Sequence, residues 1–246
     1  MLLILKMTIT SSKNTKPRVA LIDMDFMIYS VAFSAKDASE QIAKNRLTEW
    51  LTEIVYIQLD CDDFKAHLTG STNFRNDIAV TYPYKGNRKD VVRPEHFDTL
   101  RKHAIRLGAT VSVDEEADDT VAMDTVLEDS WIVHVDKDLN QLPGWHYNPV
   151  KQEEYFVTED EGNYSFYLQL LTGDRTDNIV GLKGIGPVKA AKILGGSVAV
   201  IDLYNSVVKA YKDAGEPLER IVENGQLLHL RRYKGELWQP PVNVNQ

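Results

Sequence analysis

The chain has 246 residues, enough for one large domain, or a domain with a small appendage, around a substantial buried core. A hydrophobic share of 43% and a charged share of 26% are ordinary for a soluble globular protein, and a single cysteine, Cys61, excludes an internal disulfide or a thiolate zinc cluster and suits a reducing cytosol. The net charge of −8 argues at first against nucleic acid, because phosphate contacts usually want a basic surface.

In chain order, Met1–Leu5 is too short to span a membrane and lacks the basic start and small-residue cleavage site of a signal peptide. Residues 1–16 read as a loose tail, with Met7 a second candidate start. The apolar run from Arg18 ending in Asp23 predicts a buried strand. Helical spacing of Ile42, Leu47, Leu51, Ile54 and Val55 predicts a helix within 37–57, while Ala66–Leu68 and Asp77–Thr81 read as short extended pieces. Pro94–Leu107 has a proline near its first turn and Gly108 after its end, the punctuation of a helix. Ala109–Val113 reads as strand, Ala117–Glu128 as helix, Trp131–Val135 as strand and Tyr164–Leu171 as helix. After residue 178 the pattern is helical, with one further strand expected at Leu227–Leu230 and an extended end at Trp238–Val242. Strands alternating with helices predict an α/β fold with a mainly parallel sheet.

The charge distribution says more than the total. Residues 114–119 put five carboxylates into six positions, a cluster that repels itself unless cations neutralise it. Basic stretches flank this centre: seven Lys/Arg against three acids from Lys85 to Arg106, and three Lys with no acid across 183–192. Four separated acidic groups sit at predicted strand ends or loops: Asp23; Glu116 with Asp118 and Asp119; Asp136 with Asp138; and Asp174 with Asp177. Each taken alone serves equally as a helix cap or a solvated turn. Together they predict convergence beyond the carboxyl ends of the strands, where open parallel sheets bind ligands. Mg²⁺ takes oxygen ligands from a few carboxylates, and two such ions about 4 Å apart suit phosphodiester hydrolysis. Eight or nine carboxylates are excessive for one ion and suitable for two or three.

Immediately after Asp174 and Asp177 comes Gly181-Leu-Lys183-Gly184-Ile-Gly186-Pro-Val-Lys189-Ala-Ala-Lys192, which fits a helix-hairpin-helix. Glycines at a helix start let backbone N–H groups approach a phosphate closely, and Pro187 suits the first turn. Such a contact follows the nucleic-acid backbone and reads no bases. The stretch Tyr82-Pro-Tyr84-Lys85-Gly-Asn-Arg88-Lys89 interleaves aromatics with basic groups, as stacking on unpaired bases requires.

Over about residues 18–195 the chain resembles the 5′-nuclease family, which includes flap endonucleases, the nuclease domain of bacterial DNA polymerase I and tailed-phage 5′–3′ exonucleases. The motifs run in family order: Leu21-Ile-Asp23 with Tyr29 beyond, Asn73-Phe-Arg75, Tyr84-Lys-Gly-Asn-Arg88, Glu116-Ala-Asp-Asp119, Asp136-Lys-Asp138-Leu, and Gly173-Asp-Arg-Thr-Asp-Asn178 leading into the hairpin. The short arch and overall size are most like a phage enzyme. The resemblance implies a PIN-like α/β nuclease core over 17–172 with an arch near 82–107, a helix-three-turn-helix module over 173–235 and a tail over 236–246. It implies that Asp23, Glu116, Asp118, Asp119, Asp136, Asp138, Asp174 and Asp177 hold Mg²⁺, with Mn²⁺ able to substitute. It also implies that Lys85 and Arg88 act at the scissile phosphate, and that Arg75, Tyr84, Lys183, Gly184, Gly186, Lys189 and Lys192 contact DNA, with K⁺ at the hairpin. The implied partners are DNA with 5′ ends, flaps or nicks, met by a cytoplasmic monomer alongside replication proteins, in an infected bacterial cell if the chain is phage-encoded.

One departure is plain. The family carries an Asp-x-Gly six residues before its Phe-Arg pair, and here Leu68-Thr-Gly70 stands in that place. An extra acid, Asp25, follows Asp23 and is a candidate replacement ligand if the chain stays extended there. Two other readings compete. Asp23-Met-Asp25 with Gly173-Asp174 is similar to the nucleophile loop and late acidic motif of haloacid-dehalogenase-like phosphatases, and a DNA-binding module without catalysis would explain Leu68.

Overall fold

The strand Val19–Asp23 (β1) forms the centre of the molecule, with its apolar residues buried on both faces as a strand in a covered parallel sheet must be. The computed structural model describes residues 16–88, 92–127 and 129–242. The tail expected over 1–16 (apart from Lys16), Lys89, Glu128 and residues 243–246 lie outside that range.

From β1 the chain turns directly into Met24–Ser34 (α1), a helix that the sequence reading did not anticipate. Asp23 is its N-cap and accepts from the Asp25 N–H at 3.0 Å. Glu40–Thr52 (α2) is capped by Ser39 and continues into a π-helical turn over Glu53–Gln58, so the helix expected within 37–57 is present but widened at its end. Next come Asp63–Leu68 (β2), a single helical turn Arg75–Ile78 (α3), Phe97–Arg106 (α4), Thr110–Val111 (β3), Ala117–Leu127 (α5) and Trp131–Val133 (β4). The extended piece expected at Asp77–Thr81 is therefore partly helical. Its last residues, Val80 and Thr81, instead give both N–H groups to Glu223. Gly144–Asn148 (β5) and Glu153–Val157 (β6) form an unanticipated antiparallel hairpin.

The six strands lie in the order β3-β2-β1-β4-β5-β6, parallel except for the β5–β6 pair. Because the chain builds outward from β1 to β2 and β3 and then returns to β1's other side with β4, the switch point falls between β1 and β4. Asp23 ends one strand and Asp136 follows the other. A crevice beyond the carboxyl ends of these two strands is the expected ligand position.

The C-terminal part is helical: Glu159–Thr172 (α6), Pro187–Leu194 (α7), Val200–Asp213 (α8) and Glu219–Leu228 (α9), with Gly173–Asp174 (β7) and Ile179–Val180 (β8) as a small antiparallel pair. The α6 start is fixed by a capping box between Thr158 and Glu161, so this helix begins earlier than Tyr164. Leu227 and Leu228 close α9, which corrects the strand expected at Leu227–Leu230. The division expected at residue 172 runs through a packed unit, because Phe166, Tyr167, Leu170 and Leu171 of α6 share a core with α7, α8 and α9. The tail expected from 236 begins inside that core. Trp238 packs 5.4 Å from Phe166, and Gly225 is required there because a Cβ would stand 2.2 Å from the indole.

Among the described residues two buried ion pairs join the parts: Arg231 with Glu115 at 3.3 Å, and Arg75 with Asp119 through their bonds to the C-terminal backbone. Arg75 pairs both guanidinium arms with Asp119, at 2.5 and 2.8 Å, and donates to the carbonyls of Leu227 and His229. Asp119 also accepts from the Glu116 and Arg231 N–H groups. Burial opposes its ionisation, but Arg75 and these donors hold Asp119 below the usual carboxylate range. Two expectations are corrected here. Asp119 has no exposed surface and four donors on its oxygens, so it offers no face to a metal. Arg75 has four of its five N–H groups committed inside the protein and offers none to DNA. Arg75→Met should leave Asp119 buried and unpaired, at about 3–5 kcal/mol, lowering the melting temperature on the order of 10 °C in a scanning experiment. A change of only a degree or two would show that the C-terminal helices are held without the Arg75–Asp119 pair.

Candidate active site and nucleic-acid interface

A cleft of about 450 Å³ opens at the β1–β4 switch point. Of the nine acids nominated as metal ligands, Asp23, Asp25, Glu116, Asp118, Asp136, Asp138 and Asp177 line it. Asp136 repeats the capping device of Asp23: its side chain accepts from the Asp138 N–H at 2.9 Å and opens a short 3₁₀ turn. Asp118 enters from the first turn of α5, and Glu116 from just before it. Asp174 and Asp177 come from the turn between β7 and β8, where Asp174 accepts from the Thr176 N–H at 2.7 Å.

Electrostatically the cleft is divided. Burial first, then the Asp25 and Asp136 charges, push Asp23 up to about 8. Burial, with Asp23, Asp136 and Glu116 nearby, raises Asp118 well above the ordinary range. These two carboxyls have no cationic partner among the described contacts. Elsewhere ammonium and guanidinium groups fill the gaps. Lys85 bridges Glu116 and Asp177, Arg88 pairs with Asp177 at 2.7 Å, and Lys137 lies between Asp138, at 2.8 Å, and Asp174. Burial opposes the charge on Lys85, yet Glu116 and Asp177 keep it firmly protonated. The Tyr84 hydroxyl, itself buried, lies 2.7 Å from Asp177 and 3.1 Å from Glu116 and has its one proton to donate between them, so it organises carboxylates rather than facing solvent as a DNA contact.

The donor set is all oxygen, which fits a hard divalent cation, and the two unneutralised carboxyls Asp23 and Asp118 are where such a charge would relieve most repulsion. The side chains are not closed on a common point: among the described residues no three His, Cys, Asp or Glu are arranged as a ready metal cage. Lys85 and Lys137 stand between them instead, and both are long, flexible side chains able to withdraw.

A second concavity lies beside the first, lined by Tyr82, Asp174, Arg175, Asn178, Lys183, Gly184, Ile185 and Gly186, with Ile179 common to both; Asp174, nominated as a metal ligand, thus lines this concavity and not the cleft. Gly184 has φ +75°, a left-handed turn residue, and Gly186 caps α7 with Pro187 at its first turn. A Cβ at either glycine would meet nothing of the protein, so their small size serves no internal packing. Lys183, Lys189 and Lys192 are exposed around this turn, although Lys189 curls back to the Gly184 carbonyl at 2.9 Å.

Several contributors were not singled out from the sequence. Lys137 was legible as the base between two acids. His134 was not: it is buried, kept neutral by burial and by His146, and contacts the Asp136 carbonyl through Nδ1 at 2.5 Å, holding the turn that carries Asp136. Gln169 of α6 donates to Asp138. The chain does not stay extended past Asp23, and Asp25, in the first turn of α1, is half-buried on the cleft wall. Its carboxylate accepts from the Thr69 N–H at 2.9 Å and faces Arg101 at 3.5 Å.

No family model matches the chain. Among solved structures the chain is similar to the bacteriophage T5 flap endonuclease in a pseudo-enzyme–product complex with DNA and metal ions (TM-score 0.65, 18% identity, covering 86% of this chain and 89% of that one). It is similar to the catalytic core of Rad2 in complex with DNA substrate (0.52, 15%, 86% and 72%) and to human GEN1 in complex with Holliday junction DNA (0.52, 14%, 92% and 65%). The chain has the 5′-nuclease fold, a mainly parallel sheet flanked by helices, as its ordered motifs imply.

The raised carboxyls set a pH dependence. Folded Asp23 keeps its proton to about 8, whereas the unfolded chain releases it near the ordinary 3.8, so the folded state binds more protons in that window. Stability contributed by this group therefore falls as pH rises from 3.8 toward about 8. Asp119, shifted the other way, acts only at the acid end of the scale. Melting temperatures in EDTA should decline across the upper part of the window, and Mg²⁺ should flatten the decline. A profile that rises there with or without Mg²⁺ would contradict this account of the cleft.

Proposed function

We propose that this chain is a divalent-metal-dependent nuclease that hydrolyses DNA at 5′ ends and flaps. The observation that carries the reading is the placement of Asp23, buried, and Asp118, partly buried, at the switch point beside Asp136, with no cation among the described residues to neutralise them. Asp23, Glu116, Asp118, Asp136, Asp138, Asp174 and Asp177 would hold two or more Mg²⁺ ions, with Mn²⁺ able to substitute. Such ions, when bound, activate a water and stabilise the oxygens exchanged at phosphorus. Lys85, held protonated, is a donor to phosphate oxygen and not a base, and Arg88 beside it offers a planar fork for a second oxygen. Both already touch Asp177, so a phosphate entering the cleft competes with a carboxylate for them. Tyr84 keeps Glu116 and Asp177 in place while this exchange occurs.

The hairpin supplies the grip. Backbone N–H groups at Gly184 and Gly186 approach a duplex phosphate without a side chain between, and Lys183 and Lys192 add charge. K⁺ at the same turn belongs to this reading. Similarity to solved structures that hold DNA and metal ions supports the reading, although a fold alone does not assign an activity. Among the described residues no helix is long and apolar enough to cross a membrane. The phosphatase alternative is less well supported, because Asp25, its required general acid, is tied to Thr69 and Arg101.

Asp136→Asn and Asp174→Asn retain an oxygen for their turn hydrogen bonds but lose the charge. Each should lower turnover on a 5′-flap substrate at least about 100-fold while duplex binding survives. Hydrolysis by the parent that persists in EDTA would remove the basis of the proposal. Gly184→Val and Gly186→Val should weaken duplex binding regardless of sequence, since the added side chain points to where phosphate would lie. Anisotropy curves matching the parent would reduce the hairpin to a helix connection.

A further inference from the structure

Arg101 enters the cleft from α4 without touching any carboxylate that Lys85, Arg88 or Lys137 engages. Among the described residues its only hydrogen bond runs from Nη2 to the Thr69 carbonyl, at 2.6 Å. Its Nη1 stands 3.5 Å from Asp25 Oδ1, a charge contact too long for a good hydrogen bond. The Thr69 peptide is therefore gripped from both sides, its N–H by Asp25 and its C=O by Arg101. This arrangement aims the guanidinium while leaving most of its five donors unused. The contrast with Arg75 is direct: that guanidinium is sealed in the protein, whereas the Arg101 side chain is 24% exposed on the cleft wall.

The same geometry argues against Asp25 as a metal ligand. One of its oxygens is occupied by the Thr69 N–H, and the other faces a guanidinium that would repel a dication placed there. Nor can residue 68 supply a carboxylate. The Leu68 side chain has no exposure and lies in the apolar core under α1 and α4, so an acid at that position would be buried among hydrocarbon.

We propose that Arg101 is a DNA-phosphate contact of the cleft and that Asp25 is the positioning residue that holds it there, not a ligand for metal. The inference rests on the nuclease reading above. A guanidinium fork fits a phosphodiester bidentately, and here it meets the strand at a place that neither the hairpin nor the Lys85–Arg88 pair reaches.

The test measures binding of labelled 5′-flap DNA by anisotropy across a salt series in EDTA, and cleavage across a Mg²⁺ titration, for the parent and three variants. Arg101→Ala should weaken binding about tenfold and reduce the salt slope by about one contact. Arg101→Lys should restore the slope while recovering only part of the affinity, because an ammonium lacks the fork. Asp25→Asn should weaken binding a few-fold and leave the Mg²⁺ midpoint for cleavage unchanged. Parental affinity and slope in Arg101→Ala, with the melting temperature confirming that it is folded, would overturn the proposal. So would a raised Mg²⁺ midpoint with unaltered affinity in Asp25→Asn, which would return Asp25 to the metal site. If the parent cleaves and these variants behave as the parent, only this inference fails. If the parent neither binds nor cleaves DNA, the nuclease reading fails and takes the inference with it.

Discussion

Repulsion among carboxylates at the end of β1 and β4 is the constraint to which the surrounding structure answers. Asp23 and Asp118 are brought to the same cleft by the sheet and by the first turn of α5, where Asp23 is buried and Asp118 partly so, and screening by water is reduced. Of the acids around them, Glu116 and Asp177 have Lys85, and Asp138 and Asp174 have Lys137; Asp136, like Asp23, caps its own turn and has no cationic partner among the described contacts. The protein neutralises the rim of the cluster and leaves its centre uncompensated. A centre of that kind is costly to ionise, and its repulsion is relieved by a retained proton or by a cation.

The two arginine–aspartate pairs show how burial decides what one chemistry does. Arg75–Asp119 and Arg101–Asp25 use the same groups, yet the first is sealed beneath the C-terminal segment and the second lies open on the cleft wall. Sealed, the pair clamps Leu227 and His229 against the residues leading into α5, so the helical part and the sheet hold the acidic centre jointly. Open, the guanidinium keeps donors for something outside the protein. Asp174 links the two sites through Lys137, because it lines the hairpin concavity and shares that ammonium with Asp138 of the cleft. A strand gripped at Gly184 and Gly186 would thus be registered against the carboxylates through a short turn, with no long lever between.

Fold class and the convergence of acids were readable because their signals are local. Apolar runs ending in acid mark β1 and β4, helical periodicity marks α2 and α4, and a glycine–hydrophobe–glycine turn before Pro187 marks the hairpin. The misses have a common cause as well. The helix α1 starts on the residue that ends β1, so no turn residues separate them; β5 and β6 are short and carry little alternation; and Leu227 and Leu228 are apolar because α9 packs on α6, not because they pair as a strand.

What the sequence by itself determined is the set of charged groups and their order along the chain, and hence the α/β architecture and the presence of an acidic centre beside a phosphate-sized turn. Which acid meets which base was decided only by tertiary structure. Asp119 is adjacent to Asp118 in sequence, but successive helical residues point in directions about 100° apart, sending one into the cleft and the other into Arg75. Leu68 and Thr69 divide as well: the Leu68 side chain enters the core, whereas Thr69, just past β2, turns its hydroxyl to the Ala117 N–H and its backbone N–H and C=O to Asp25 and Arg101. Spacing fixes which residues can share a face. The partner on that face is brought by elements distant in the chain, and in this protein it separates a carboxylate sealed against Arg75 from one left in the cleft without a cationic partner among the described contacts.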